Sequence, residues 1–184
     1  TRHKNQTITF CSGCFDVTHA GHALFFEDCK KHGDVLVVMV GCDENIRNYK
    51  GKGRPIIHEA MRLKMVDSLK SVDYCFLDKP YSQEIITAGL FDEEVLRLLR
   101  PDNYVCNDDA FNIEGRKNML EEFDIKAIIL PRWAPPEFGP ISTSALIRMI
   151  RNTDEDEIVQ HSSASAKRIP RIVITGAPGA GKST

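Results

Sequence analysis

Two histidines set three residues apart are the first candidates for chemistry. They stand in Gly13-Cys14-Phe15-Asp16-Val17-Thr18-His19-Ala20-Gly21-His22, between a β-rich run (Thr7–Cys11) and a helical stretch from about Gly21 to His32. Residues three apart on a helix point in similar directions. Helix N-terminal amides attract anions, and glycine lets backbone approach a ligand closely. A triphosphate meeting Gly13, Gly21, His19 and His22 would find oriented amides and two imidazoles. The bland alternative makes His19 an exposed loop residue and His22 a satisfied core histidine. The paired spacing and flanking glycines favour the phosphate site. Zinc is the weaker rival, because no third ligand sits nearby.

A second group lies far downstream, at Ile141-Ser142-Thr143-Ser144-Ala145-Leu146-Ile147. Hydroxyls at a helix start either cap the helix or bind phosphate oxygens. With the histidine pair upstream, Ser142, Thr143 and Ser144 read as phosphate ligands.

The elements between must bring these groups together. Val35–Gly41 is a continuous apolar run, the pattern of a buried parallel strand. Residues 43–55 are polar, contain Gly51, Gly53 and Pro55, and read as an active-site loop. Ile57–Val72 reads as a helix whose shared face carries Ile57, Met61, Met65, Leu69 and Val72. Tyr74–Leu77, Asn103–Cys106 and Ala127–Leu130 read as strands; Gln83–Arg100, Ile113–Phe123 and Ser142–Arg151 read as helices. Pro131–Pro140 is a proline-rich loop. Strands alternating with helices predict an α/β fold, a Rossmann-like doubly wound parallel sheet of about five strands. Ligands in such sheets bind beyond the strand C-termini. Gly13, residues 43–55, Asn107-Asp108-Asp109 and residues 131–142 all follow strands and should gather at one rim.

The Gly13–Asp16 and His19–His22 segments resemble the signature of the H-x-G-H cytidylyltransferases. Glycerol-3-phosphate cytidylyltransferase is a compact example, and the heptose-phosphate adenylyltransferases are relatives. Arg132 followed by Ile141-Ser142-Thr143-Ser144 resembles the family's second signature, here with a longer intervening loop (133–140). Lys50-Gly51-Lys52-Gly53-Arg54-Pro55 resembles its K-G-x-x-R-P loop, with Lys50 at the position of the phosphate-contacting lysine. Taken alone, that run would be a solvated basic loop. Arg62 matches an arginine of the family's next helix; a surface salt bridge is its alternative role. Asn107-Asp108-Asp109 is similar to a G-D-D-like segment, so Asp108 and Asp109 are candidates for base, ribose or magnesium contact, or for capping the next helix.

The resemblance implies a HUP-type nucleotidyltransferase working by direct in-line displacement. His19 and His22 would serve the α-phosphate, and Lys50 and Arg132 the leaving pyrophosphate. Gly13, Cys14, Phe15, Asp16, Gly21, Arg62, Asp108, Asp109 and Ile141–Ser144 would bind the nucleotide. It further implies CTP or ATP with Mg2+, a polyol, aminoalcohol or sugar phosphate acceptor, and a homodimer. The alternative function is a catalytically silent nucleotide-binding regulatory module attached to a nucleotide kinase-like domain.

The 184 residues suit one domain with a core plus a short extra piece. A net charge of −2 gives no global field for nucleic acid. No apolar run reaches membrane-spanning length, roughly 18 residues. Six cysteines, without a secretory signal, read as reduced, which predicts a cytoplasmic protein. Cys11 and Cys14 form a C-x-x-C without a second ligand pair, so structural roles are favoured. Residues 1–151 are expected to form the transferase domain, and 152–168, acidic and then small and polar, a linker. Residues 169–184 look like the beginning of an adenylate kinase-like P-loop domain. There, Gly176 to Ser183 fits G-x-x-x-x-G-K-[ST] through Gly176, Gly181, Lys182 and Ser183.

Overall fold

The structure, a computed structural model, describes residues 5–88, 93–139 and 142–152. The expected linker beyond Asn152, the P-loop residues Gly176, Gly181, Lys182 and Ser183, and Ile141 lie outside the described residues. One compact unit runs over Thr1–Leu146. A second, Ile147–Thr184, is described only over 147–152, within the last helix.

Strands β1 (Ile8–Gly13), β2 (Val35–Val40), β3 (Tyr74–Leu77), β4 (Asn103–Asn107) and β5 (Lys126–Leu130) pair in the order β3-β2-β1-β4-β5. Every pairing is parallel. The strand order reverses between β1 and β4, which opens a crevice at their carboxyl ends. Helices cover both faces. On one, Phe26 and Cys29 of α1 (Ala20–Lys30) and Val66 of α3 (Glu59–Asp67) pack on Cys11, Leu36, Val38 and Val105. On the other, Leu96 of α5 (Glu93–Leu99) and Met119 and Leu120 of α6 (Ile113–Glu122) pack on Ile8, Phe10, Val37, Met39 and Tyr104. All six residues of β2 are buried, as its unbroken apolar run requires. Burying each such side chain contributes roughly 1.5–3 kcal/mol.

Two expectations are corrected. Residues 43–50 are not loop but helix α2 (Asp43–Lys50). Asp43 and Glu44 open it and Arg47 and Lys50 close it, the charge order its dipole favours. Gly51, at φ +87°, terminates it where a side chain would be strained. In α3 the buried residues are Arg62 and Val66, while Met61 and Met65 stay exposed. Consecutive helical residues are about 100° apart, so a stripe assigned through 61 and 65 misses one through 62 and 66. Helix α4 (Gln83–Ala88), a 3-10 turn at Pro136–Phe138 and α7 (Thr143–Arg151) complete the described elements.

Candidate active site

A cavity of about 600 Å³ opens at the carboxyl ends of the strands. Its floor begins at Gly13, the last residue of β1. A Cβ on Gly13 would stand 2.8 Å from Cζ of Phe15, so only glycine leaves room for that ring. Phe15 has a positive φ of 48° and is buried. It packs on Phe26 at 4.8 Å and edge-on to His22 at 5.6 Å. The loop is thus folded around an aromatic pin that sets the His22 ring.

The two histidines form a reciprocal cap on α1. Nδ1 of His19 accepts from the Gly21 amide (3.1 Å), and Nδ1 of His22 accepts from the His19 amide (3.3 Å). Their rings stack with centroids 4.0 Å apart. A ring nitrogen that accepts is deprotonated, so the neutral tautomer carries its proton on Nε2. Each imidazole therefore keeps one N–H donor. Burial, then the neighbouring His19, Arg132 and Lys50, pushes His22 down to about 3, with Asp16 opposing. Burial and Arg132 also lower His19. Both rings are neutral hydrogen-bond donors near pH 7, not cations or bases. Burial raises the Cys14 thiol despite Lys50 and Arg62, which argues against a thiolate nucleophile there.

Under the loop lie two clamps. The Asp16 carboxylate, 1% exposed, accepts from Arg54 Nε and from the amides of Ile56 and Ile57, each at 2.9 Å. Burial would raise its pKa, but those two amides and the Arg54 guanidinium outweigh it and hold the carboxyl below its ordinary value. The Asp16 carbonyl accepts from Thr143 Oγ1 at 2.8 Å, tying the first signature to the second. Arg62 is fully buried and donates to the carbonyls of Ile57 (2.9 Å) and Cys14 (2.5 Å) and to Asp43 (2.7 Å). At the cavity's edge Arg132, two residues beyond β5, holds Asp109 through a two-pronged pair, Nε to Oδ2 and Nη2 to Oδ1, both 3.0 Å.

A cytidylyltransferase-like family model matches residues 10–149, spanning β1, the histidine pair, the cavity and α7. The chain belongs to the cytidylyltransferase-like family. Among curated proteins it is similar to the bifunctional protein HldE of Desulfatibacillum aliphaticivorans, 31% identical over 153 residues, covering 82% of this chain and 28% of that one. HldE of Helicobacter pylori (strain G27) is 33% identical over 159 residues, covering 84% and 30%. The chain thus spans less than a third of the length of the curated relatives it matches. Among solved structures, a lipopolysaccharide core biosynthesis protein from Thermoplasma volcanium GSS1 superposes with a TM-score of 0.59 at 24% identity, over 70% of this chain and 99% of that one. A pantoate-beta-alanine ligase from Francisella tularensis gives 0.59 at 17%, over 88% and 71%. These two share the α/β fold of this chain.

Within this family member the cavity is lined by Gly13, Cys14, Phe15, Asp16, His19, Gly21, His22, Lys50, Asp109, Arg132, Ser142, Thr143 and Ser144, all expected from the sequence. Arg62 and Asp108 are not on that wall. Arg62 serves the interior, and its burial rules out the surface salt bridge that was its alternative. The Asp108 amide instead extends the β4–β5 ladder, donating to Leu130 O at 3.0 Å. Ser142 also caps: its Oγ accepts from the Ala145 amide at 3.1 Å. Sequence reasoning missed Ser12, Asp78, Phe111 and Arg116 on the lining, whereas Asn45 and Tyr49 fall within residues 43–55, read as an active-site segment. Only strand alternation could have flagged Ser12 and Asp78; nothing in the sequence marks Arg116. No helix among the described residues is long and apolar enough to cross a membrane.

Proposed function

We propose that the chain transfers CMP or AMP from the nucleoside triphosphate to a phosphorylated small-molecule acceptor and releases pyrophosphate. The observation that carries this reading is the reciprocal histidine cap, which fixes two neutral imidazoles by Nδ1 and leaves two Nε2–H donors at one cavity. An acceptor phosphate oxygen forms a bond to the α-phosphorus while the bond from that phosphorus to the β-bridging oxygen breaks. The acceptor phosphate is largely ionised near pH 7, since its second pKa is about 6, so no base is needed. His19 and His22 donate to the α-phosphate oxygens as charge gathers there. Lys50 and Arg132 offset charge on the departing pyrophosphate. Ser142 and Ser144, at the start of α7, hold the outer phosphates through their hydroxyls, and Thr143, whose hydroxyl donates to Asp16 O, contributes with the amides of that helix start.

Among the described residues no group of three acidic, histidine or cysteine side chains could hold a metal by itself. The reading places magnesium on triphosphate oxygens and water. The ion would neutralise phosphate charge, and every residue role above stands without a protein cage for it.

Pyrophosphate release, measured with magnesium, CTP or ATP and a panel of phosphorylated acceptors, tests the reading. Release with one pairing, lost in His22→Ala, supports it. Triphosphate binding without release under any pairing turns the reading to a silent nucleotide-binding module.

A further inference from the structure

Arg132 is assigned above to the departing pyrophosphate, and the group that holds it is a carboxylate with no role so far. Asn107 of β4 stands beside Leu130 of β5, and the two strands run parallel. Asp109 and Arg132 each lie two residues further on, so they leave the sheet side by side. The Asp108 amide extends the ladder by donating to Leu130 O at 3.0 Å. A turn closed by the Ala110 amide on Asn107 O, also at 3.0 Å, carries Asp109 at its third position. On the other strand Pro131, with its fixed φ, comes immediately before Arg132. Both side chains therefore start from pinned backbone.

The pair takes one N–H from Nε and one from Nη2, each at 3.0 Å, and neither bond uses Nη1. A two-pronged bond fixes the plane of a guanidinium as well as its place. Arg132 and Asp109 both line the cavity that holds His19 and His22. The guanidinium's charge reaches the histidines, where it is one cause of each lowered pKa. A carboxylate alone on that wall would repel a polyanion, and the guanidinium offsets it. Asp109 is not the cap of α6, because the Asn112 side chain accepts there from the Gly115 amide at 3.2 Å. Nor does the fold depend on the pair: the two side chains are 48% and 57% exposed, where an ion pair adds little to stability. Its use lies at the cavity.

We propose that Asp109 is a positioning residue for the transfer: it holds the Arg132 guanidinium in the orientation that offers Nη1 to the leaving pyrophosphate. It acts through that arginine and not on base, ribose or magnesium. The inference rests on the transferase reading above and deepens it. Charge grows on the pyrophosphate as the bond from its bridging oxygen to the α-phosphorus breaks. A donor already in place stabilises that charge without reorganising. An arginine left to turn would serve less well, since misplacement by about 1 Å can cost roughly 10²-fold in rate. Asp109 does for Arg132 what backbone amides do for the histidines: it takes one edge and leaves the other to the cavity.

The test is a double-mutant cycle on the full chain, following pyrophosphate release with magnesium, CTP or ATP and the acceptor panel. Arg132→Gln should lower kcat roughly 10²-fold. Asp109→Asn puts an amide NH2 where the second acceptor oxygen stood. It should lower kcat roughly tenfold and leave the acceptor KM within about twofold. The double variant should be no slower than Arg132→Gln alone, within about twofold, because a residue acting only through Arg132 then has nothing left to position. Asp109→Asn should melt within about 2 °C of wild type. Losses that multiply in the double variant would put Asp109 in direct contact with the nucleotide or its ion. That result overturns the inference and leaves the transferase standing, as does wild-type kcat in either single variant or a melting loss of several degrees in Asp109→Asn. Triphosphate binding by the wild type without release from any acceptor overturns both.

Discussion

The two rims of the sheet use charge in opposite ways. In a parallel sheet every strand presents its first amide at one rim and its last carbonyl at the other. At the amino rim carboxylates satisfy backbone. Asp34 accepts from the Thr7 amide (2.8 Å), Asp102 from Ile8 (2.7 Å) and Asp73 from Leu36 (2.7 Å), with Lys30 bonded to Asp73. Those acids are spent locally on strand ends. At the carboxyl rim the side chains are anchored by one edge and present the other to the cavity. His19 and His22 use Nδ1 on backbone and keep Nε2–H; Arg132 pairs with Asp109 but stays on the wall. The amino rim spends its carboxylates on strand ends and the carboxyl rim lines the cavity, so on the proposed function substitutions at the two should separate into effects on melting and on turnover.

The sharpest break in that comparison comes from His22→Ala. Removing one positioned donor to developing charge costs roughly 10²–10³ in kcat. The fold loses the acceptor for the His19 amide, the stacking on His19 and an edge-on contact with Phe15, a cap worth about 0.5–2 kcal/mol, so Tm should fall by several degrees while the chain stays folded. A variant that keeps near-normal turnover would remove the histidines from the chemistry and make the cap purely structural.

Asp16→Asn blurs the two categories, because Asp16 lines the cavity and also clamps residues 54–57. An amide cannot accept from both the Ile56 and Ile57 amides and the Arg54 guanidinium. Asp16 is fully buried and Arg54 partly so, and breaking such a pair costs up to about 3–5 kcal/mol. Tm and kcat/KM should fall together. If turnover fell with an unchanged melting curve, Asp16 would be a ligand contact and not a clamp.

Asp102→Ala belongs to the amino rim alone. It leaves the Ile8 amide unsatisfied, which costs about 1–3 kcal/mol and lowers Tm by roughly 2–4 °C per kcal/mol. At 25 °C kcat and KM should match wild type. Altered kinetics in the folded variant would mean that the two rims are coupled through β1.

The residues that reach the cavity wall were legible in the sequence where residue type and neighbours together restrict the position. The two histidines between glycines and the Ser-Thr-Ser that opens a helix all line it, and they also cap the helices they open. The unbroken apolar run of β2 likewise fixed a buried strand. What stayed hidden depends on partners distant in the chain. Arg62 meets Cys14 across 48 positions, and no local pattern shows whether an arginine faces a cavity or a carbonyl. Helix α2 was read as loop because it is polar on nearly every side, burying only Asn45 and Ile46, even though its acidic start, basic end and terminal glycine spelled a helix. Arg116 sits mid-helix between ordinary surface residues, and only the packing of α6 beneath the rim brings it to the cavity.

The smallest expected effect probes the histidine tautomer itself. Folded, His22 titrates near 3; unfolded, it titrates near 6.5. Above pH 6.5 it is neutral in both states and adds no pH dependence to stability. As pH falls from 6.5 toward 3, the unfolded chain takes up a proton that the folded one refuses. His22 then costs stability, by at most about 1.4 kcal/mol per pH unit. His22→Gln removes that cost, so the variant's Tm should gain on wild type between pH 8 and pH 5.5 by a few degrees. An unchanged difference across that range would mean that the folded imidazole binds its proton as readily as the unfolded one. A doubly protonated ring has no lone pair at Nδ1 to accept from the His19 amide, so the reciprocal cap and the single Nε2–H donor assigned to that ring would fall together.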